Sequence, residues 1–92
     1  MKVSVIIPVY NERTTLPLIL ERINSQPFEM EIIIVDDYST DGTREYIESL
    51  SALHYKKLFH DKNQGKGAAV RTAQAHIEGD IVIIQDADLE YQ

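Results

Sequence analysis

The stretch Gly79-Asp80-Ile81-Val82-Ile83-Ile84-Gln85-Asp86-Ala87-Asp88-Leu89-Glu90 fixes how the rest of the chain is read. Four consecutive branched apolar residues predict a strand buried on both faces, as in a parallel sheet. The strand runs directly into acid. Asp86, Asp88 and Glu90 alternate with other residues, a spacing that puts all three carboxylates on one face of extended chain. Carboxylates gathered at a strand mouth repel one another unless a cation lies between them, and hard oxygen donors of this kind suit Mg²⁺ or Mn²⁺. The plain alternative is a solvated acidic turn, which is the commoner meaning of a bare Asp-x-Asp.

Working outward, the same strand-then-polar pattern repeats. Val3 to Val9 reads as a central parallel strand that stops at Pro8, because proline cannot donate to a ladder. Leu16, Ile19, Leu20 and Ile23 then mark a helix face, with Thr14 or Thr15 as its cap and Pro17 in the first turn. Glu31 to Val35 is a second strand, running into Asp36-Asp37. A helix with Tyr46, Ile47, Leu50 and Leu53 inward follows, capped by Asp41. Tyr55 to His60 is a weaker edge strand carrying Lys56 and Lys57. Ala68 to Ile77 is a third helix with Ala69, Val70, Ala73 and Ile77 inward, ended by Gly79.

The order β-α-β-α-β-α-β means an α/β fold with a parallel sheet and helices on both faces. Ligands of such sheets bind beyond the carboxyl ends of the strands. The polar clusters all fall there: Pro8 to Glu12, Asp36-Asp37, Asn63 to Gly67 and Asp86 to Glu90. An acid of the Asp36-Asp37 pair at the end of the second strand is placed to accept from a ribose hydroxyl or a base N–H; helix capping is the other reading for the pair. Asn63-Gln64-Gly65-Lys66-Gly67 opens a helix, where glycine, the helix N-terminus and Lys66 favour an anion. Arg71 reaches the same anion or simply faces solvent. Tyr10 stacks on a base or merely packs. His54, His60 and His76 share no metal-ligand spacing and are expected at the surface.

Composition narrows the function. The apolar fraction of 43% is ordinary for a globular domain, and a formal net charge of -6 disfavours nucleic acid, which wants a basic face. There is no cysteine, so disulfides and thiolate metal sites are excluded. No apolar run approaches the about 20 residues that span a bilayer, and the N-terminus lacks the long apolar core of a signal peptide.

Taken together, Val5-Ile6-Ile7-Pro8-Val9-Tyr10-Asn11-Glu12, Ile34-Val35-Asp36-Asp37-Tyr38-Ser39-Thr40-Asp41-Gly42-Thr43, Asn63-Gln64-Gly65-Lys66-Gly67-Ala68-Ala69 and Gly79-Asp80 through Asp86-Ala87-Asp88 resemble, in order, the motifs of glycosyltransferase family 2. The likeness is greatest to its dolichol- and polyprenyl-phosphate sugar synthase branch. The resemblance implies a GT-A fold, a nucleoside-diphosphate sugar of the UDP or GDP type, a divalent metal and inverting transfer, with a polyprenyl phosphate as acceptor. It implies base and ribose contacts from Pro8, Tyr10 and Glu12, a nucleobase contact from Asp37, and a donor-side role for Lys66. Asp86 would lie near ribose and donor, Asp88 would be the main metal ligand, and Glu90 stands where related sequences often have glutamine. No catalytic base is assigned. Residues 1–92 read as a single nucleotide-sugar-binding domain cut after the Asp-x-Asp motif, inactive alone, cytoplasmic, and acting at the membrane surface in a full-length parent. Its unguarded strand 81–84 is expected to drive self-association. The rival reading is a non-catalytic nucleotide-binding or interaction module, which would bind without turnover.

Overall fold

The computed structural model describes residues 1–88. Its elements are β1 (Lys2–Val9), α1 (Leu16–Asn24), β2 (Glu29–Asp36), α2 (Thr43–Glu48), β3 (Tyr55–Phe59), α3 (Lys66–Gln74) and β4 (Ile81–Ile84). The strands form one parallel sheet in the order β3-β2-β1-β4. This is the α/β alternation expected from the sequence.

Strand periodicity divides the core into two layers. Val3, Val5, Ile7 and Val9 of β1 join Ile32 and Ile34 of β2 under α1 and α2, where Leu16, Ile19, Leu20, Ile23 and Ile47 are buried. The intervening positions, Ile6, Ile33 and Val35, face α3. Ala69 and Ala73 are one helical turn apart and fully buried, so α3 packs closely on β1 and β2. No helix among the described residues is long and apolar enough to cross a membrane.

Several boundaries differ from the sequence reading, each for a local reason. β1 continues through Pro8 to Val9. The Lys2 and Ile6 carbonyls point to the β4 side, accepting from Asp80 N and Gln85 N at 2.8 Å, whereas Val9 O accepts from Asp37 N on the β2 side. Backbone groups alternate, so Pro8 turns its missing N–H toward β4, whose pairing ends at Ile6 opposite Ile84. Proline costs no ladder bond there. β2 starts at Glu29 and ends at Asp36, and α2 stops at Glu48. Leu53 therefore lies beyond the helix and is fully exposed, not inward.

β4 is not buried on both faces. Ile81 to Ile84 are 42–50% exposed, because β4 is an edge strand and α3 packs on β1 and β2 instead. The edge lysines are also engaged. Lys57 Nζ donates to Leu50 O (2.6 Å) and Glu48 O (3.2 Å), satisfying carbonyls at the end of α2.

Lys56 belongs to a clasp at the amino end of the sheet. Glu31 is buried on the α3 face and takes hydrogen bonds on Oε2 from Ser4 Oγ and Glu78 N, with a longer contact (3.1 Å) from the Gly79 N–H that is shared with Ser4 Oγ. Lys56 Nζ sits 2.8 Å from Glu31 Oε1 and 2.6 Å from Glu78 Oε2. Gly79 does not end α3, which stops at Gln74. Its N–H donates to Ser4 Oγ at 2.8 Å, and a Cβ there would lie 2.4 Å from that oxygen and 2.8 Å from Ser4 N. Only glycine permits so close an approach to β1.

Burial raises the Glu31 carboxyl, but the bonds from Lys56, Ser4 and Glu78 outweigh it and hold the group at about 2, below its ordinary 4.5. The folded chain thus binds this proton less readily than the unfolded chain. The stabilisation is complete above pH 4.5 and is lost as pH falls from there toward 2. Glu31→Gln is expected to cost about 1–3 kcal/mol at pH 7 and to flatten the acid limb of the stability curve. Denaturant unfolding at a series of pH values checks both; an unchanged acid limb would show that Glu31 does not govern it.

Candidate functional site

At the carboxyl ends of the strands the loops are braced to one another before any ligand is considered. Asn11 holds a left-handed backbone (φ 52°), its N–H donates to Ser39 Oγ (2.8 Å), and its Oδ1 accepts from Thr40 N (2.8 Å). Glu12 N donates to Thr43 Oγ1 at 3.1 Å. Asp41 accepts from Thr43 N at 3.0 Å and Arg13 N at 3.3 Å, so it ties the start of α2 to the loop after β1; the cap position itself is held by Gly42 and has no side-chain cap bond, so Asp41 is not the cap the sequence suggested. Burial raises the Asp41 carboxyl, and the Thr43 and Arg13 bonds more than reverse this.

Strand alternation separates the acidic pair. Asp36, the last residue of β2, turns to the α2 side, where Oδ2 accepts from Ser39 N (3.1 Å) and lies 3.6 Å from Arg44 Nη1. Asp37 turns to the α3 side. Its Oδ1 accepts from His60 Nδ1 and Gln64 N, and its Oδ2 from Gly65 N, each at 2.8 Å. Burial pushes this carboxyl up, yet the bonds from His60, Gln64 and Gly65 leave it below its ordinary value. An ionised carboxylate only accepts, so His60 must carry its proton on Nδ1. The other ring nitrogen is 2.8 Å from Thr72 Oγ1 on α3. His60 is 7% exposed and contradicts the expected surface role: it follows β3, whose end is drawn inward by His60 N donating to Asp36 O (2.9 Å).

The segment after β4 is drawn back over the sheet. Ala87 is buried in the α1-side core, and the Thr15 hydroxyl sits between Ala87 O (2.7 Å) and Glu12 Oε2 (3.0 Å). Thr15 makes no side-chain cap of α1, the role the sequence suggested. Asp86 and Asp88 flank the buried alanine. Lys66, the first residue of α3, forms an ion pair with Asp86.

These loops enclose a pocket of about 350 Å³. Pro8, Tyr10, Glu12, Asp37, Lys66, Asp86 and Asp88 all line it, so the structure brings together every candidate residue that it describes. Glu90 lies outside the described residues. Arg71 is not among the lining residues, and its guanidinium lies near Gly67. The sequence reading missed Thr15, His60, Thr72 and the Ser39–Asn11 brace. Asn11 and Ser39 lie within the quoted motifs, but neither motif tells of the other, and each of these residues acts through a partner far away in the chain.

As a donor set, Asp88 and Asp86 offer hard carboxylate oxygens at an open pocket. Among the described residues no group of three or more His, Cys, Asp or Glu converges as a closed metal cage. That pattern fits a cation such as Mg²⁺, which takes one or two carboxylates and fills its other positions with substrate phosphates and water.

The profile described as Glycosyl transferase family 2 matches residues 4–92. The chain belongs to this family. Among family 2 relatives, it is 39% identical to the undecaprenyl-phosphate 4-deoxy-4-formamido-L-arabinose transferase of Aeromonas hydrophila, over 96% of this chain and 29% of that protein. It superposes with a TM-score of 0.82 and 36% identity on the Pyrobaculum calidifontis mannosyltransferase PcManGT, solved with GDP-Man and Mn²⁺, covering 94% of this chain and 27% of that one. Residues 1–349 of S. aureus TarS in complex with UDP match with a TM-score of 0.86 and 34% identity, over 96% and 28% of the two chains. The chain therefore spans less than a third of the length of each, and its sheet and helices are those of the GT-A fold that the family 2 motifs implied.

Proposed function

We propose that this chain is the nucleotide-sugar-binding part of a glycosyltransferase that uses a divalent metal, Mg²⁺ or Mn²⁺, and that the whole protein transfers the sugar with inversion to a polyprenyl phosphate. The observation that carries this is the charge of the pocket. Glu12, Asp37, Asp86 and Asp88 line it against Lys66. A diphosphate entering so acidic a site is repelled unless a cation accompanies it. When bound, the metal supplies charge neutralisation for the departing diphosphate.

The side chains divide the remaining work. Tyr10 is 47% exposed at the rim and offers a ring face for a base. Glu12 lines the pocket beside Thr15 and meets the ribose. Lys66, at the N-terminus of α3, meets the phosphates with help from the helix dipole. Asp88 would hold the metal, with Glu90 as a further ligand, and Asp86 pairs with Lys66 near the donor. A polyprenyl phosphate is already ionised and needs no strong general base. We place the reaction in the cytoplasm at a membrane surface, consistent with the acceptor named for the Aeromonas relative.

Titration with UDP or GDP is expected to show binding that strengthens with Mn²⁺, with the Asp37 and Gly65 amides shifting together. Asp88→Asn keeps the shape and is expected to abolish the Mn²⁺ effect, at least about tenfold in affinity, with little change in stability. Shifts confined to the amino ends of the strands, or an undiminished Mn²⁺ effect in the variant, would overturn the assignment.

We also propose that the chain self-associates along β4, whose apolar side chains are half exposed at the sheet edge. Sedimentation velocity across a concentration series should show a shift to dimer. A single monomeric species at every concentration would exclude it.

A further inference from the structure

We propose that this pocket selects uracil over guanine, and that His60 sets the preference by occupying Asp37. The proposal rests on the nucleotide reading above and adds the base. A carboxylate oxygen has two acceptor positions. Asp37 Oδ1 has both filled, by His60 Nδ1–H and Gln64 N–H. Oδ2 has one filled, by Gly65 N–H, and among the described residues nothing takes the second. Asp37 lines the pocket while being 3% exposed, so what it offers a ligand is a single buried acceptor position.

The bases differ in what they bring to such a position. Uracil presents one donor, N3–H, between two carbonyls. Guanine presents N1–H and the 2-amino group side by side, an arrangement that matches both oxygens of a carboxylate at once. Here Oδ1 cannot receive the second donor, which would be left unpaired in a desolvated place. Cytosine turns a lone pair at N3 toward the carboxylate and is repelled. The three existing bonds are not easily traded away. Gln64 N and Gly65 N are backbone donors of the loop entering α3, and Gly65 adopts φ 94°, where L side chains are strained. His60 is buried and held from behind by Thr72 Oγ1. His60 is thus a positioning residue that touches the base only through Asp37.

The test is isothermal titration of the protein, with Mn²⁺ present, using UDP, GDP, CDP, N3-methyl-UDP and inorganic pyrophosphate. UDP should bind tighter than GDP, CDP and N3-methyl-UDP by roughly 10- to 100-fold, the worth of one hydrogen bond to a charged group. His60→Leu opens a position on Oδ1 and should narrow the UDP-to-GDP ratio, while His60→Asn, which restores an N–H donor, should bring it back toward the parent value. GDP binding as tightly as UDP, or N3-methyl-UDP binding as well as UDP, would overturn the base assignment and leave the nucleotide reading standing. Nucleoside diphosphates binding no better than pyrophosphate would overturn both. The measurements on the unmodified chain decide the matter even if a His60 variant does not fold.

Discussion

Two buried carboxylates, Glu31 on β2 and Asp37 just beyond its end, hold helix α3 at both ends. Asp37 receives the Gln64 and Gly65 amides of the loop entering α3, and Glu31 receives the Glu78 and Gly79 amides of the loop leaving it. The helix needs this help. It spans only Lys66–Gln74, and its fully buried contacts are the small side chains of Ala69 and Ala73. Burying an ionised carboxylate is costly unless its oxygens are satisfied. Each of these therefore forces the adjoining loop into the one conformation that supplies the donors.

The same constraint connects fold to site. The loop that Asp37 fixes delivers Lys66 to the pocket, and the loop that Glu31 fixes starts β4, which delivers Asp86 and Asp88 from the other side. Thr15 then draws the end of that segment down to α1 through the Ala87 carbonyl. The pocket of this family 2 chain is thus shaped by bonds from backbone amides and hydroxyls, several of them made to Asp37, which also lines it.

Much of this was legible in the sequence because strands and helices announce themselves by period. Ile6, Ile33 and Val35 alternate with the residues under α1, and Leu16, Ile19, Leu20 and Ile23 repeat at helical spacing, so element order and the end of the sheet that carries the polar clusters followed directly. What escaped was relational. The burial of His60 depends on Asp37 and Thr72, and the work of Thr15 on Ala87; neither partner is a sequence neighbour. Ile81 to Ile84 read as doubly buried because composition reports what a strand is suited to, whereas exposure depends on what lies beside it. Pro8 read as a terminator because the rule concerns missing donors, and only the register shows that no acceptor awaits one there.

The most direct test of the account is residue-resolved amide hydrogen exchange at Gln64, Gly65, Glu78 and Gly79. These amides lie outside helices and strands, yet their bonds to Asp37 and Glu31 should protect them to the level of Ile33 and Ile34 in the core of β2, so that they open only when the whole domain does. Exchange at the rates of exposed loops, with β2 still protected, would mean that the two carboxylates do not hold α3 in place.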